Sequence, residues 1–134
     1  MIAKAEWSEG MFYDGQSQSG HVLHMDASAE HHAGMSPMEA VLTALCGCTS
    51  VDVVSILQKK REPLTSLTVT ADAEQAAEPP RVFTKIHLTY KIHGNVSRKA
   101  AEDAVALSKN KYCSVSKMLE KAAEISYSIE LDAA

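Results

Sequence analysis

The longest stretch of strict alternation between apolar and polar positions lies between Val82 and His93. Val82, Thr84, Ile86, Leu88, Tyr90 and Ile92 fall on one face, and Phe83, Lys85, His87, Thr89, Lys91 and His93 on the other. Successive side chains of a strand point to opposite faces, so this segment predicts a long, half-buried strand. Leu64 to Ala73 repeats the pattern with Leu67, Val69 and Ala71, and Glu74 to Pro80 follows as a loop. Near the end, Ile125, Tyr127, Ile129 and Leu131 alternate with Glu124, Ser126, Ser128 and Glu130, which predicts a last strand. Residues 1–26 read as about three short strands. Their dividing turns are Ser8-Glu9-Gly10 and Asp14-Gly15 with the polar stretch to Gly20. A polar loop from Ala27 to Gly34 follows.

The period changes at Ser36-Pro37-Met38-Glu39. Ser36 suits an N-cap, Pro37 the first helical position and Glu39 the reciprocal capping position. The helix should run to about Lys60, some 23 residues and about 35 Å. Its apolar positions, among them Val41, Leu42, Leu45, Val53, Val54, Ile56 and Leu57, cover more than one stripe. Such a helix is expected to be central and buried on most sides. Pro63 closes the region, and His93-Gly94-Asn95 turns the chain. Ser97 caps a second helix to about Ser108, and a short third helix follows Cys113 to near Ala122. The order of elements predicts one α+β domain over residues 1–134.

Composition narrows the function. The 17 acidic against 13 basic residues leave a net charge of −4, which disfavours nucleic acid or an anionic membrane as main partner. No apolar run is expected to approach the ~20 residues of a bilayer span. Glu6 and Glu9 stand where a signal peptide would carry its apolar core, so a cytoplasmic location is expected. Three cysteines in such a compartment do not suggest a structural disulfide framework, and their odd number leaves at least one thiol unpaired.

The cysteines are the candidate chemistry. Cys46 and Cys48 lie in the long helix, about 200° apart around its axis, and cannot easily bond each other there. Gly47 between them costs roughly 1 kcal/mol of helix stability, which points to a close backbone approach by another element. Asp52 lies one turn beyond Cys48 on the same face, and a bare carboxylate there opposes thiolate formation. Cys48 therefore reads either as a small buried residue or as a nucleophile activated from elsewhere. Cys113 sits at or beside a helix start, with Lys111 and Lys117 nearby, and is equally open between a reactive and a structural role. Histidines offer a metal-binding reading through His21, His24, His31, His32, His87 and His93 with Cys46 and Cys48. The cysteine spacing is not that of a zinc site, so no metal or other cofactor is expected.

Two motifs then make the chain specific. A long helix opened by Ser36-Pro37-Met38-Glu39 carries Cys48 in Cys48-Thr49-Ser50-Val51-Asp52-Val53-Val54, and a later short helix opens with Tyr112-Cys113-Ser114-Val115-Ser116-Lys117. In this the sequence resembles the OsmC/Ohr family, and within it the YhfA-type branch; Pro80 to Ile86 and Ile125 to Ala134 share the likeness. The resemblance implies an intertwined homodimer with long central helices, antiparallel sheets and sites at the subunit interface. It implies Cys48 as peroxidatic and Cys113 as resolving cysteine. The substrate would be an organic hydroperoxide, and the reductant a dithiol such as a lipoylated protein. Family peroxidases also carry a Glu directly after the helix-opening Pro and an activating Arg from the N-terminal strands. Here Met38 follows Pro37, with Glu39 one place on, and no Arg precedes Arg61. Arg81 is the nearest substitute for that cation. The same departures leave a second expectation: a protein of this fold with little turnover that binds a small apolar or thiol-reactive ligand, through Met35, Met38 and Tyr112.

Overall fold

The computed structural model describes residues 1–133. The chain divides into two compact units, Met1–Leu42 and Thr43–Ala134. In the first, strands β1 (Ala3–Glu9), β2 (Phe12–Ser17) and β3 (Val22–Asp26) form an antiparallel meander in that order. The first turn falls at Gly10 as expected. Asp14 and Gly15 do not turn, however; they lie inside β2, paired with His24 and Leu23, and the chain reverses at the far end of the expected polar stretch, at Gly20. Asp14 and His24 hold each other across the strands at 2.6 Å.

The loop after β3 is organised by Asp26, whose carboxylate accepts from the N–H groups of Ser28 (2.8 Å) and Ala33 (3.1 Å). Hydrogen bonding from Ser28, with help from Ala33 and His31, holds this carboxyl below its ordinary range. Gly34 passes so close to the His24 carbonyl that a Cβ there would collide with it. Ser36 and Glu39 form the expected reciprocal cap: the Glu39 N–H donates to Ser36 Oγ at 3.1 Å, and the Ser36 N–H to Glu39 Oε1 at 2.8 Å.

Helix α1 (Pro37–Lys59) starts at this cap and continues into the second unit. There, β4 (Leu64–Gln75), β5 (Phe83–Gly94) and β6 (Glu124–Asp132) form a sheet with β5 central. The core gathers Leu45, Val53 and Leu57 of α1, Ile86, Leu88, Tyr90 and Ile92 of β5, and Ala101, Ala104 and Val105 of α2 (Arg98–Leu107). Ser97 caps α2 through the Ala100 N–H at 3.1 Å. Gly94 has φ +117°, and a Cβ there would strike the Pro63 carbonyl, so only glycine fits this turn.

Five expectations are corrected. The sheet is mixed: β4 and β5 are antiparallel, but β6 runs parallel to β5, because the helices between them carry the chain back to the end where β5 began. The face assignment at the start of β5 is reversed. The register slips between the Gln75–Phe83 and Glu74–Lys85 pairs, and this bulge turns Phe83 inward while Val82 and Thr84 stay exposed. Within the chain, α1 buries only the stripe Leu45, Thr49, Val53 and Leu57 rather than most of its circumference, and nothing approaches the position of a Gly47 Cβ. Finally, although its apolar run is broken by Asp52 and several hydroxyls, α1 is long and apolar enough by length and composition to cross a bilayer.

Candidate active site

Cys48 and Cys113 come together in the second unit. Cys48, half-buried on α1, lies one residue before Thr49, which faces the core. Cys113, fully buried, is delivered by an irregular segment: α2 runs into a π turn, Ser108–Tyr112, before the short helix α3 (Ser114–Leu119). The wider turn lets the Cys113 N–H reach back to the Ser108 carbonyl at 2.8 Å. Cys113 is then the N-cap of α3, its Sγ accepting from the Ser116 N–H at 3.4 Å. The Cys113 thiol interacts with that of Cys48.

Burial pushes the Cys113 thiol up to about 12; the Ser116 N–H opposes this, while the bond to Cys48 and the negative charges of Cys48 and Asp52 add to it. Cys46 is also raised by burial, against a hydrogen bond from the Ala71 backbone.

Beneath the thiols runs a chain of buried hydroxyls that the sequence did not single out. Tyr90 Oη lies 2.7 Å from Thr49 Oγ1, which lies 2.8 Å from Ser108 Oγ, which donates to Asp52 Oδ2 at 2.9 Å. Ser108 has one proton, and the carboxylate can only accept it, so Ser108 accepts from Thr49 and Thr49 from Tyr90. The chain ties β5, α1 and the π turn together, and it fixes Ser108 five residues from Cys113. One signal was legible: Thr49 is the polar member of an otherwise apolar i, i+4 stripe. Burial raises the Tyr90 hydroxyl to about 12, so it remains a proton donor.

The other expected residues are distributed as follows. Asp52 ends the hydroxyl chain and lines a cavity of about 430 Å³ with Ile56, Lys59, Leu107 and Tyr112. Tyr112 is exposed, with Lys111 Nζ 5.4 Å from its ring centroid. Arg81 is exposed in the β4–β5 loop, where its Nε donates to the Ala76 carbonyl at 3.0 Å; the charges acting on Cys113 are those of Cys48 and Asp52. Glu39 serves the α1 cap, and its Oε1 lies 3.9 Å from His31 Nε2, while Met38 is a half-buried residue of the first helical turn. His87 bonds Ser126 and Ser128 across the sheet, and no cluster of metal-ligating residues occurs among the described residues.

A thiol pair on a long helix and a later short helix, in an α+β chain with two three-stranded sheets, defines the class. The OsmC-like protein family model matches residues 29–128, and the chain belongs to the OsmC family, in its YhfA-type branch. It is 46% identical to protein YhfA of Escherichia coli K12 over 135 residues, spanning all of both chains. An OsmC-like protein from Mycoplasma pneumoniae shares the fold with a TM-score of 0.86 at 18% identity, over 98% of this chain and 96% of that one. An organic hydroperoxide resistance protein OsmC from Legionella pneumophila does so at 0.73 and 18%, over 96% and 95%.

Proposed function

We propose that the protein is a thiol-dependent peroxidase acting on organic hydroperoxides in peroxide defence. The observation that carries this reading is that the Cys48 and Cys113 thiols interact, because two cysteines 65 positions apart in sequence have no structural need to meet. The fold is shared with the Legionella hydroperoxide resistance protein. The Cys48 thiolate attacks the terminal peroxide oxygen, an S–O bond forms, the O–O bond breaks and the alkoxide leaves to take up a proton as alcohol. Cys48 is then a sulfenic acid. Cys113 sulfur attacks it, the S–S bond forms, and the hydroxide leaves with the Cys113 proton as water. An external dithiol, such as a lipoylated protein, returns the pair to thiols by exchange. The cavity beside Asp52 joins Ile56, Leu107 and Tyr112 to Lys59 and Lys60, and neither cysteine is among its lining residues.

The same reading includes a homodimer, with the apolar α1 surface, Val51 and Gly47 included, covered by a second copy. A second reading, a ligand-binding protein with little turnover, is favoured by the position of Arg81, which is exposed and bonded to its own loop. The deciding experiment adds one equivalent of cumene hydroperoxide to the reduced protein and counts thiols by mass-mapped alkylation. Loss of Cys48 and Cys113 together, with Cys46 retained, is the expected result. Both thiols surviving while a control peroxidase reacts would leave only the binding reading.

A further inference from the structure

The C-terminal third of α1 forms one wall of a cavity that the thiol chemistry does not use. Asp52, Ser55, Ile56 and Lys59, with Lys60 just beyond the helix end, follow the i, i+3, i+4, i+7, i+8 spacing of a single helix face. Leu107, where α2 ends, and Tyr112, where the π turn ends, form the other wall. The volume is about 430 Å³, and a second cavity of similar size continues from it through Lys60 and Leu107 to Asn110 and Lys111. Leu107 is 38% and Tyr112 51% exposed, so apolar surface lines this groove without being covered by the chain.

The charges along the groove do not cancel. Asp52 is held by Ser108 at 2.9 Å, and Asp103 is shared between Lys60 at 3.6 Å and Lys99 at 3.3 Å. Lys111 lies over the Tyr112 ring, and the Lys59 ammonium has no ion-pair partner among the described residues. Lys59, Lys60 and Lys111 against Asp52 and Asp103 therefore leave one positive charge lining the two cavities. Lysines suit the negative end of a helix, but that accounts for each one singly and not for their meeting around exposed apolar side chains.

We propose that this groove is a binding site for a small amphipathic monoanion, a carboxylate on a medium-length alkyl chain. The chain lies on Ile56, Leu107 and Tyr112, and the carboxylate takes up the charge of Lys59 and its neighbouring lysines. A carboxylate neutralises the single surplus charge, whereas a phosphate monoester, nearer two negative charges, overshoots it. Neither cysteine lines either cavity, so the site is separate from the thiol pair and the inference does not rest on the peroxidase reading.

The test is isothermal titration calorimetry of the reduced full chain with octanoate at low ionic strength. Saturable binding is expected. Hexanoate, with a shorter chain, should bind about tenfold more weakly, and octanol, which has no charge, about tenfold more weakly as well. Lys59→Met keeps an alkyl stem and removes the ammonium; it should weaken octanoate about fivefold and leave octanol unchanged. Leu107→Ala should weaken both probes. Lys59 and Leu107 are exposed, so neither variant removes core packing. Cys48→Ser should bind octanoate like the parent, which lets this site and the thiol chemistry fail separately. Absence of saturable binding, equal affinity for octanoate and octanol, or tighter binding of octyl phosphate than of octanoate overturns the proposal. So does a Lys59→Met protein that loses thermal stability but no octanoate affinity, since Lys59 would then serve the helix end alone. Loss of binding in Cys48→Ser would move the ligand to the thiol pair and overturn it too.

Discussion

Cys48→Ser should reduce hydroperoxide consumption by at least about two orders of magnitude, because a serine hydroxyl is not ionised near neutral pH and is a poor nucleophile without a base. Cys113→Ser should behave differently. Its Cys48 still attacks one equivalent of peroxide per chain, and turnover then stops, because no sulfur is in place to displace the hydroxide. A cyclic diketone that traps sulfenic acids should mark Cys48 in Cys113→Ser and leave the parent protein, which proceeds to the disulfide, largely unmarked. Cys46→Ser should turn over like the parent, since Cys46 is about 200° around the helix from Cys48. The measurement is stopped-flow consumption of cumene hydroperoxide with a dithiol in excess. Full turnover in Cys113→Ser would show that an external thiol resolves Cys48. Full turnover in Cys48→Ser would remove Cys48 from the chemistry.

How far the site could be read from sequence depended on the kind of interaction. The helix starts at Ser36 and Ser97 were legible because capping is local: donor and acceptor lie three residues apart. The pairing of Cys48 with Cys113 was legible through likeness to a family, not through periodicity, since nothing local links those positions. The π turn was invisible. Ser108-Lys109-Asn110-Lys111-Tyr112 has the composition of an ordinary helix end, and the extra residue in the turn is stabilised by where its carbonyl and hydroxyl find partners. The inward rotation of Phe83 was hidden for a similar reason, because a bulge depends on the opposing strand. The burial of α1 was overestimated because an apolar surface says that something must cover it, without saying that the same chain does. Arg81 was proposed on residue type alone, and its guanidinium instead closes its own loop.

The largest effect on stability is expected from Thr49→Val. Thr49 is 1% exposed, and its hydroxyl accepts from Tyr90, which is 0% exposed, and donates to Ser108. Valine has nearly the same shape, so packing against Leu45 and Val53 should survive. Ser108 keeps Asp52 as a partner, but the Tyr90 hydroxyl is left buried without an acceptor. An orphaned polar group of this kind costs about 2 kcal/mol, which for a chain of this size lowers Tm by roughly 8 °C. Adding Tyr90→Phe removes the orphan, so the double variant should recover about half of the loss despite carrying one more substitution. Thr49→Ser keeps the hydroxyl and should cost only what its missing methyl contributes, about 1 kcal/mol. Thermal unfolding of the reduced proteins, followed by circular dichroism, separates these cases. If Thr49→Val is as stable as Thr49→Ser, and Tyr90→Phe restores nothing, the hydroxyl chain does not hold the π turn against α1. The contact between the two sulfurs would then owe its geometry to apolar packing alone.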